Sequence, residues 1–276
     1  MSQQFPNDDT APDELIAAWG DAIEEFTAVA DTLDADEWVT PSRLDGWSVG
    51  DIVAHIAHLD GLLLGVPQVD HVPDWSVRTH VKTPFQQLTE YGVDVRRSRS
   101  QQEVIDELHE MVNRRREQLL EPDTDSIVHF IGLELSFARV MRRRTLDVWV
   151  HLMDICFALG RPYPPQDGPA PRVTAGLWLE GLPRVLAKDA AAPVGTVLRL
   201  IVDGPDVEFD VTMAVDTGGR GMYAASTEVA DAIITMSWLH FVALAGGRVP
   251  RELIDLQISG DEALAESYLT AMTLTP

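Results

Sequence analysis

Five prolines fall within the ten residues Pro162-Tyr-Pro-Pro-Gln-Asp-Gly-Pro-Ala-Pro171. Proline has no backbone N–H to donate and fixes φ, so no helix or central strand runs through such a stretch. The chain is therefore read as two parts. Before the break, apolar residues recur at the three- and four-residue spacing of amphipathic helices; beyond it, β-rich runs alternate with short helical patterns. The expected organisation is a flexible N-terminal tail over 1–11, a helical domain over 12–162, a linker over 163–171 and a smaller α+β domain over 172–276. The length of 276 residues suffices for two separate cores.

In the first part, Pro12-Asp13-Glu14 opens a helix with Leu15, Trp19, Ile23, Phe26 and Ala30 on one face, running to about Leu33. Ser48, with Asp51 three residues on, forms an approximate capping box for a second helix ending near Leu64. Residues 65–84 read as a long irregular connection, a kind of loop more often functional or partly ordered than inert. The clearest part of a third helical region is Gln101–Leu120. A fourth helix is expected over Leu135–Leu159, with Phe137, Met141, Val148, Leu152 and Ile155 on its apolar stripe. Four such helices make a four-helix bundle. After the proline break the pattern predicts a helix over Val173–Leu186 and a hairpin of 196–203 with 207–215 about Asp203-Gly-Pro-Asp206. Further strands are expected near 222–226, 232–236 and 256–259, with helices over Trp238–Ala245 and Asp261–Met272.

Composition narrows the classes of function. Forty-four acidic against twenty-one basic residues leave a net charge of −23, which excludes nucleic acid as a partner because phosphate binding needs Lys and Arg stripes. No apolar run is long enough for a membrane span, and Met1–Thr10 is polar, so the expected location is the cytoplasm. A single cysteine, Cys156, excludes an intramolecular disulfide and a Cys-rich metal site, and reads as a small buried apolar residue.

The chemistry concentrates on two helices. Asp147 and His151 are four residues apart and share a helix face, at the margin of the apolar stripe, with Arg144 and Asp154 on the same side. Alone, this spacing fits a hydrogen-bonded pair or a solvated margin at least as well as a site. His55 falls at the edge of the second helix's apolar arc, and His58 lies about 60° further round as a reserve ligand. Two imidazoles and a carboxylate with a fourth position open match the donor set of a catalytic zinc. His71, His80, His109, His129 and His240 have no readable partner, and Trp47 and Trp149 read as packing residues. Of Arg142-Arg-Arg144, only Arg144 is expected to leave solvent.

Asp45-Gly-Trp-Ser-Val-Gly-Asp-Ile-Val-Ala-His55 resembles the second-helix signature of the mycothiol-dependent maleylpyruvate isomerase family, within the DinB-like metal-binding bundles. Arg144-x-x-Asp-x-Trp-Val-His151-x-x-Asp154, closing on Gly160-Arg-Pro162, resembles that family's other ligand helix. Ala245-Gly-Gly-Arg248 and Ile258-Ser-Gly-Asp-Glu-Ala-Leu-Ala265 are similar to its sterol-carrier-like C-terminal domain. The resemblance implies an α+β chain, a DinB-like four-helix bundle followed by a sterol-carrier-like domain. It further implies a divalent metal, zinc first, held by His55, Asp147 and His151. One departure stands out: the family pattern has Glu where this chain has the shorter Asp147. The implied chemistry is isomerisation or S-transfer on a small electrophile by a metal-bound low-molecular-weight thiol such as mycothiol. Arg248 is the candidate anchor for a substrate or thiol carboxylate, its alternative being a cap on helix-end carbonyls. The competing reading is a non-enzymatic binding protein, with or without metal, holding an apolar ligand in the C-terminal domain. A homodimer is compatible with either.

Overall fold

The computed structural model of the protein describes residues 5–130 and 132–275. They form two compact units, one of Asn7–Pro165 and one of 166–275 together with 5–6.

The first unit holds α1 (Pro12–Ala30), α2 (Ala35–Trp38), α3 (Val49–Leu63), α4 (Pro84–Arg96), α5 (Gln101–Gln118), β1 (Ile127–Phe130), β2 (Leu133–Ser136) and α6 (Phe137–Ala158). Pro12 occupies the first turn of α1, where its missing N–H costs nothing. Leu15, Trp19, Ile23, Phe26 and Ala30 are all buried. The α3 capping box is complete: Ser48 Oγ accepts from the Asp51 N–H at 3.2 Å, and Asp51 Oδ2 accepts from the Ser48 N–H at 2.9 Å. Helix α1 packs along α6, α3 along α5, and α3 also meets α6, which brings together the two helices that carry the candidate ligands. Of the stretch 1–11 expected to be a tail, residues 1–4 lie outside the described residues, and Asp8 is ion-paired to Arg139 and Arg142.

The third helical region is two helices, because Ser100 starts α5 afresh with a capping box to Glu103. Helix α4 showed no clear stripe because it buries Glu90, Gly92, Val93 and Arg96 rather than a row of aliphatics. Helix α6 starts at Phe137 and not Leu135: residues 133–136 form β2, an antiparallel partner of β1 in the register Ile127↔Ser136 and Phe130↔Leu133. These strands are four residues each and mostly exposed, so they leave no alternation to read. Arg142, expected in solvent, is fully buried against Asp8.

The second unit contains α7 (Pro169–Leu179), α8 (Leu182–Arg184), a π-helical turn Val185–Asp189, β3 (Val197–Asp203), β4 (Phe209–Val215), β5 (Gly221–Ala224), β6 (Ala232–Ser237), α9 (Trp238–Ala245), β7 (Gln257–Gly260) and α10 (Glu262–Ala271). Helix α7 begins within the proline-rich stretch, since Pro169 suits a first turn. The helix expected over Val173–Leu186 is therefore shifted and broken at Gly181. Sheet order is β5-β4-β3-β6-β7, with β3 and β6 parallel and the other neighbours antiparallel. Leu198, Leu200, Val202, Met213, Ile234 and Met236 supply its buried core. Trp178, Trp238, Phe241 and Phe209 form an aromatic cluster with ring centroids 5.2–6.3 Å apart. The architecture is α+β, a helical domain followed by a small sheet domain.

Candidate metal centre

Helix α3 delivers His55, and α6 delivers Asp147 and His151. One ligand atom from each lies within 4.8 Å of the other two. Asp147 Oδ1 is 3.5 Å from His55 Nε2 and 3.5 Å from His151 Nε2. The two imidazoles meet edge to face, centroids 5.0 Å apart. A separation of 3.5 Å is long for a hydrogen bond. It is close to the edge of a tetrahedron of donors about 2.0–2.1 Å from a zinc ion, roughly 3.4 Å. Two of the three donor separations thus match a metal's ligand shell, and the donor set of two imidazoles and a carboxylate suits a divalent metal.

The surroundings fix two of the three groups. His151 Nδ1 lies 3.1 Å from Asp154 Oδ2, a partner that holds the proton on Nδ1 and leaves the Nε2 lone pair facing inward. Asp147 Oδ2 accepts from Arg144 Nη1, leaving Oδ1 as the free oxygen. Arg144 Nε donates to Asp60 Oδ1 at 3.2 Å, and both members of that pair are almost wholly buried. His55 differs: its Nδ1 is buried with no hydrogen-bond partner among the described residues. The Trp47 indole covers its ring at 5.1 Å between centroids and reaches His151 at 6.3 Å. The indole Nε1 donates to Glu90 Oε2 at 2.7 Å.

Protonation follows from these contacts. Burial pushes the His55 imidazole below its ordinary value, against the pull of the Asp147 carboxylate beside it. Burial works to raise the Asp147 carboxyl, but His55 and Arg144 beside it outweigh that and hold it well below the usual carboxylate range. Burial opposes the charge on Arg144, and Asp60 and Asp147 more than restore it.

Residues 19–156 match the mycothiol maleylpyruvate isomerase N-terminal domain family. The chain belongs to that family. The match includes α3 and nearly all of α6, and so every residue of the cluster. Two solved structures share the fold. One is the mycothiol-dependent maleylpyruvate isomerase, 16% identical, with a TM-score of 0.56, covering 91% of this chain and 94% of that one. The other is a histidine-to-alanine mutant of a mycothiol-dependent maleylpyruvate isomerase, 15% identical, with a TM-score of 0.55, covering 90% and 94%. No curated protein matches the chain.

Against this family background the remaining expectations can be placed. His58 is not part of the cluster: its Nδ1 faces Arg96 Nη1 at 3.3 Å, and its ring packs on Gly92. Arg248 belongs to the second unit, just past α9, where Nη1 donates to the Gly246 carbonyl. Two of the histidines without a readable partner have one on α4, His71 with Asp94 at 2.8 Å and His80 with Glu90 at 3.0 Å. Asp60 and Glu90 carry no local sequence signal for their roles. Asp154 does, through its place three residues after His151 on the same face, and Trp47 does through its place within the α3 signature.

Proposed function

We propose that the protein is a metal- and thiol-dependent isomerase acting on a small electrophile of the maleylpyruvate class, with mycothiol as cosubstrate. The carrying observation is the convergence of His55, Asp147 and His151, each with one ligand atom within 4.8 Å of the others', in a chain of this family. These three residues would hold the metal, zinc by the chemistry of the donor set. Bound zinc lowers the pKa of a coordinated thiol and so supplies a nucleophile at neutral pH. The protein's own residues keep the donors ready for it. Asp154 keeps the His151 proton on Nδ1, Arg144 holds back one oxygen of Asp147, and Trp47 shields the His55 side from water.

The test combines metal analysis with turnover. Purified protein is expected to carry about one zinc per chain and to isomerise maleylpyruvate only when mycothiol is added. His55→Ala and His151→Ala should lose both properties. Unchanged metal content in both variants would remove the proposed centre. Metal retained without thiol-dependent turnover would leave a metal-containing protein that is not this isomerase.

A further inference from the structure

A histidine that ligates through Nε2 needs its ring orientation set by something else, ordinarily a hydrogen bond at Nδ1. His151 has this from Asp154. His55 does not, because its Nδ1 is buried without a hydrogen-bond partner among the described residues. What holds its ring is packing: the edge of His151 on one side and the Trp47 indole on another, tilted 50° to the imidazole. An indole could rock about its own side-chain torsions, but this one is tethered. Its Nε1 donates at 2.7 Å to Glu90, a carboxylate only 1% exposed.

Burying a carboxylate is costly unless it is paired. Glu90 is paired several times over, with Arg97 Nη1, with Arg78 Nε at 3.3 Å and with His80 Nε2 at 3.0 Å. Burial works to raise its carboxyl, and the hydrogen bonds from His80, Arg97 and Trp47 bring it below the ordinary range, so it stays an acceptor. Its partner His80 also braces the backbone beside the indole. Gly46, at φ +76°, takes the His80 ring so closely that an added Cβ would stand 2.3 Å from Nδ1. Trp47 is thus fixed from its ring nitrogen and from the residue before it, both through groups that meet at Glu90.

We propose that Glu90 is a positioning residue for the metal centre, aiming the Trp47 indole so that the indole, rather than a hydrogen bond, keeps His55 in its ligating orientation. The inference rests on the metal-site reading above. It assigns to α4 and to the 65–83 connection a role in that site, although neither contributes a ligand.

The experiment uses the full-length protein with cobalt(II) as the metal probe, and NMR of the His55 ring protons in metal-free protein. Trp47→Phe keeps an aromatic ring but loses the tether, and Glu90→Ala loses the anchor. Each is expected to weaken cobalt(II) binding about tenfold or more and to alter the cobalt absorption bands. Each should also move the ring-current-shifted His55 resonances while leaving the His151 resonances nearly in place. The double variant should be little worse than either single one, and Glu90→Gln, which keeps an acceptor oxygen, should recover most of the affinity. Trp47→Phe removes one hydrogen bond from Glu90 but leaves its ion pairs with Arg97, Arg78 and His80, and so keeps the test open if Glu90→Ala does not fold. Unchanged His55 resonances and cobalt affinity in Trp47→Phe overturn the proposal. Resonances that move in a protein whose wild type takes up no cobalt support the Glu90–Trp47–His55 linkage and remove the metal reading instead.

Discussion

Arg144 reaches in two directions from one side chain, Nε to Asp60 and Nη1 to Asp147. The second contact holds Oδ2 of Asp147, so that Oδ1 is the oxygen turned toward His55 and His151. The first makes Arg144 a structural residue as well, because Asp60 is fully buried. Arg144→Met removes the guanidinium hydrogen-bonded to that carboxylate, leaving it only the charge of the nearby Arg115, and is expected to cost about 3 kcal/mol of unfolding free energy, read from urea denaturation. Adding Asp60→Leu should recover much of it. Asp154→Asn tests the other support. An amide no longer favours the Nδ1-protonated form of His151, so zinc affinity measured by chelator competition should fall about 10–100-fold, with the fold intact by circular dichroism.

Among the elements, α3 was the most legible in sequence and α4 the least. The Ser48–Asp51 box and the Ile52, Val53, Ile56, Leu59 face mark α3 without any tertiary information, because both are local. Removing the cap through Ser48→Ala should cost about 1 kcal/mol. It should also lower metal affinity, since His55 stands two turns further along the same helix. A thermal melt with and without zinc separates the two effects. Helix α4 hides in the sequence because its buried residues are Glu90 and Arg96, whose burial depends on partners from the 65–83 connection and from α5. The β1–β2 hairpin hides for the opposite reason, having almost no buried side chains. The three candidate ligands were readable as two helix faces; their meeting depended on α3 packing against α6, which no local pattern contains. The parallel pairing of β3 with β6 is likewise a property of the folded sheet alone.

For the molecule as a whole, pH exposes the cost of burying histidines. Burial and the neighbouring Arg96 push the His58 imidazole down to about 3, and His55 is shifted in the same direction. The unfolded chain therefore binds protons that the folded one refuses, and metal-free protein loses stability as pH falls from about 6.5 toward about 3. His58 alone contributes on the order of 5 kcal/mol across that window, a contribution fully present near neutrality. Urea midpoints at pH 7, 5.5 and 4.5 should fall less steeply in His58→Leu than in wild type. The same whole-molecule view gives the junction of β2 with α6 a further meaning. Ser136 is both the last residue of the strand and the N-cap of the helix, so no slack separates the hairpin from the ligands. Each residue inserted between Ser136 and Asp147 would swing Asp147 and His151 about 100° around the helix axis. The spacing from Ser136 to His151 is therefore a measure that descendants of this chain cannot alter without losing the site.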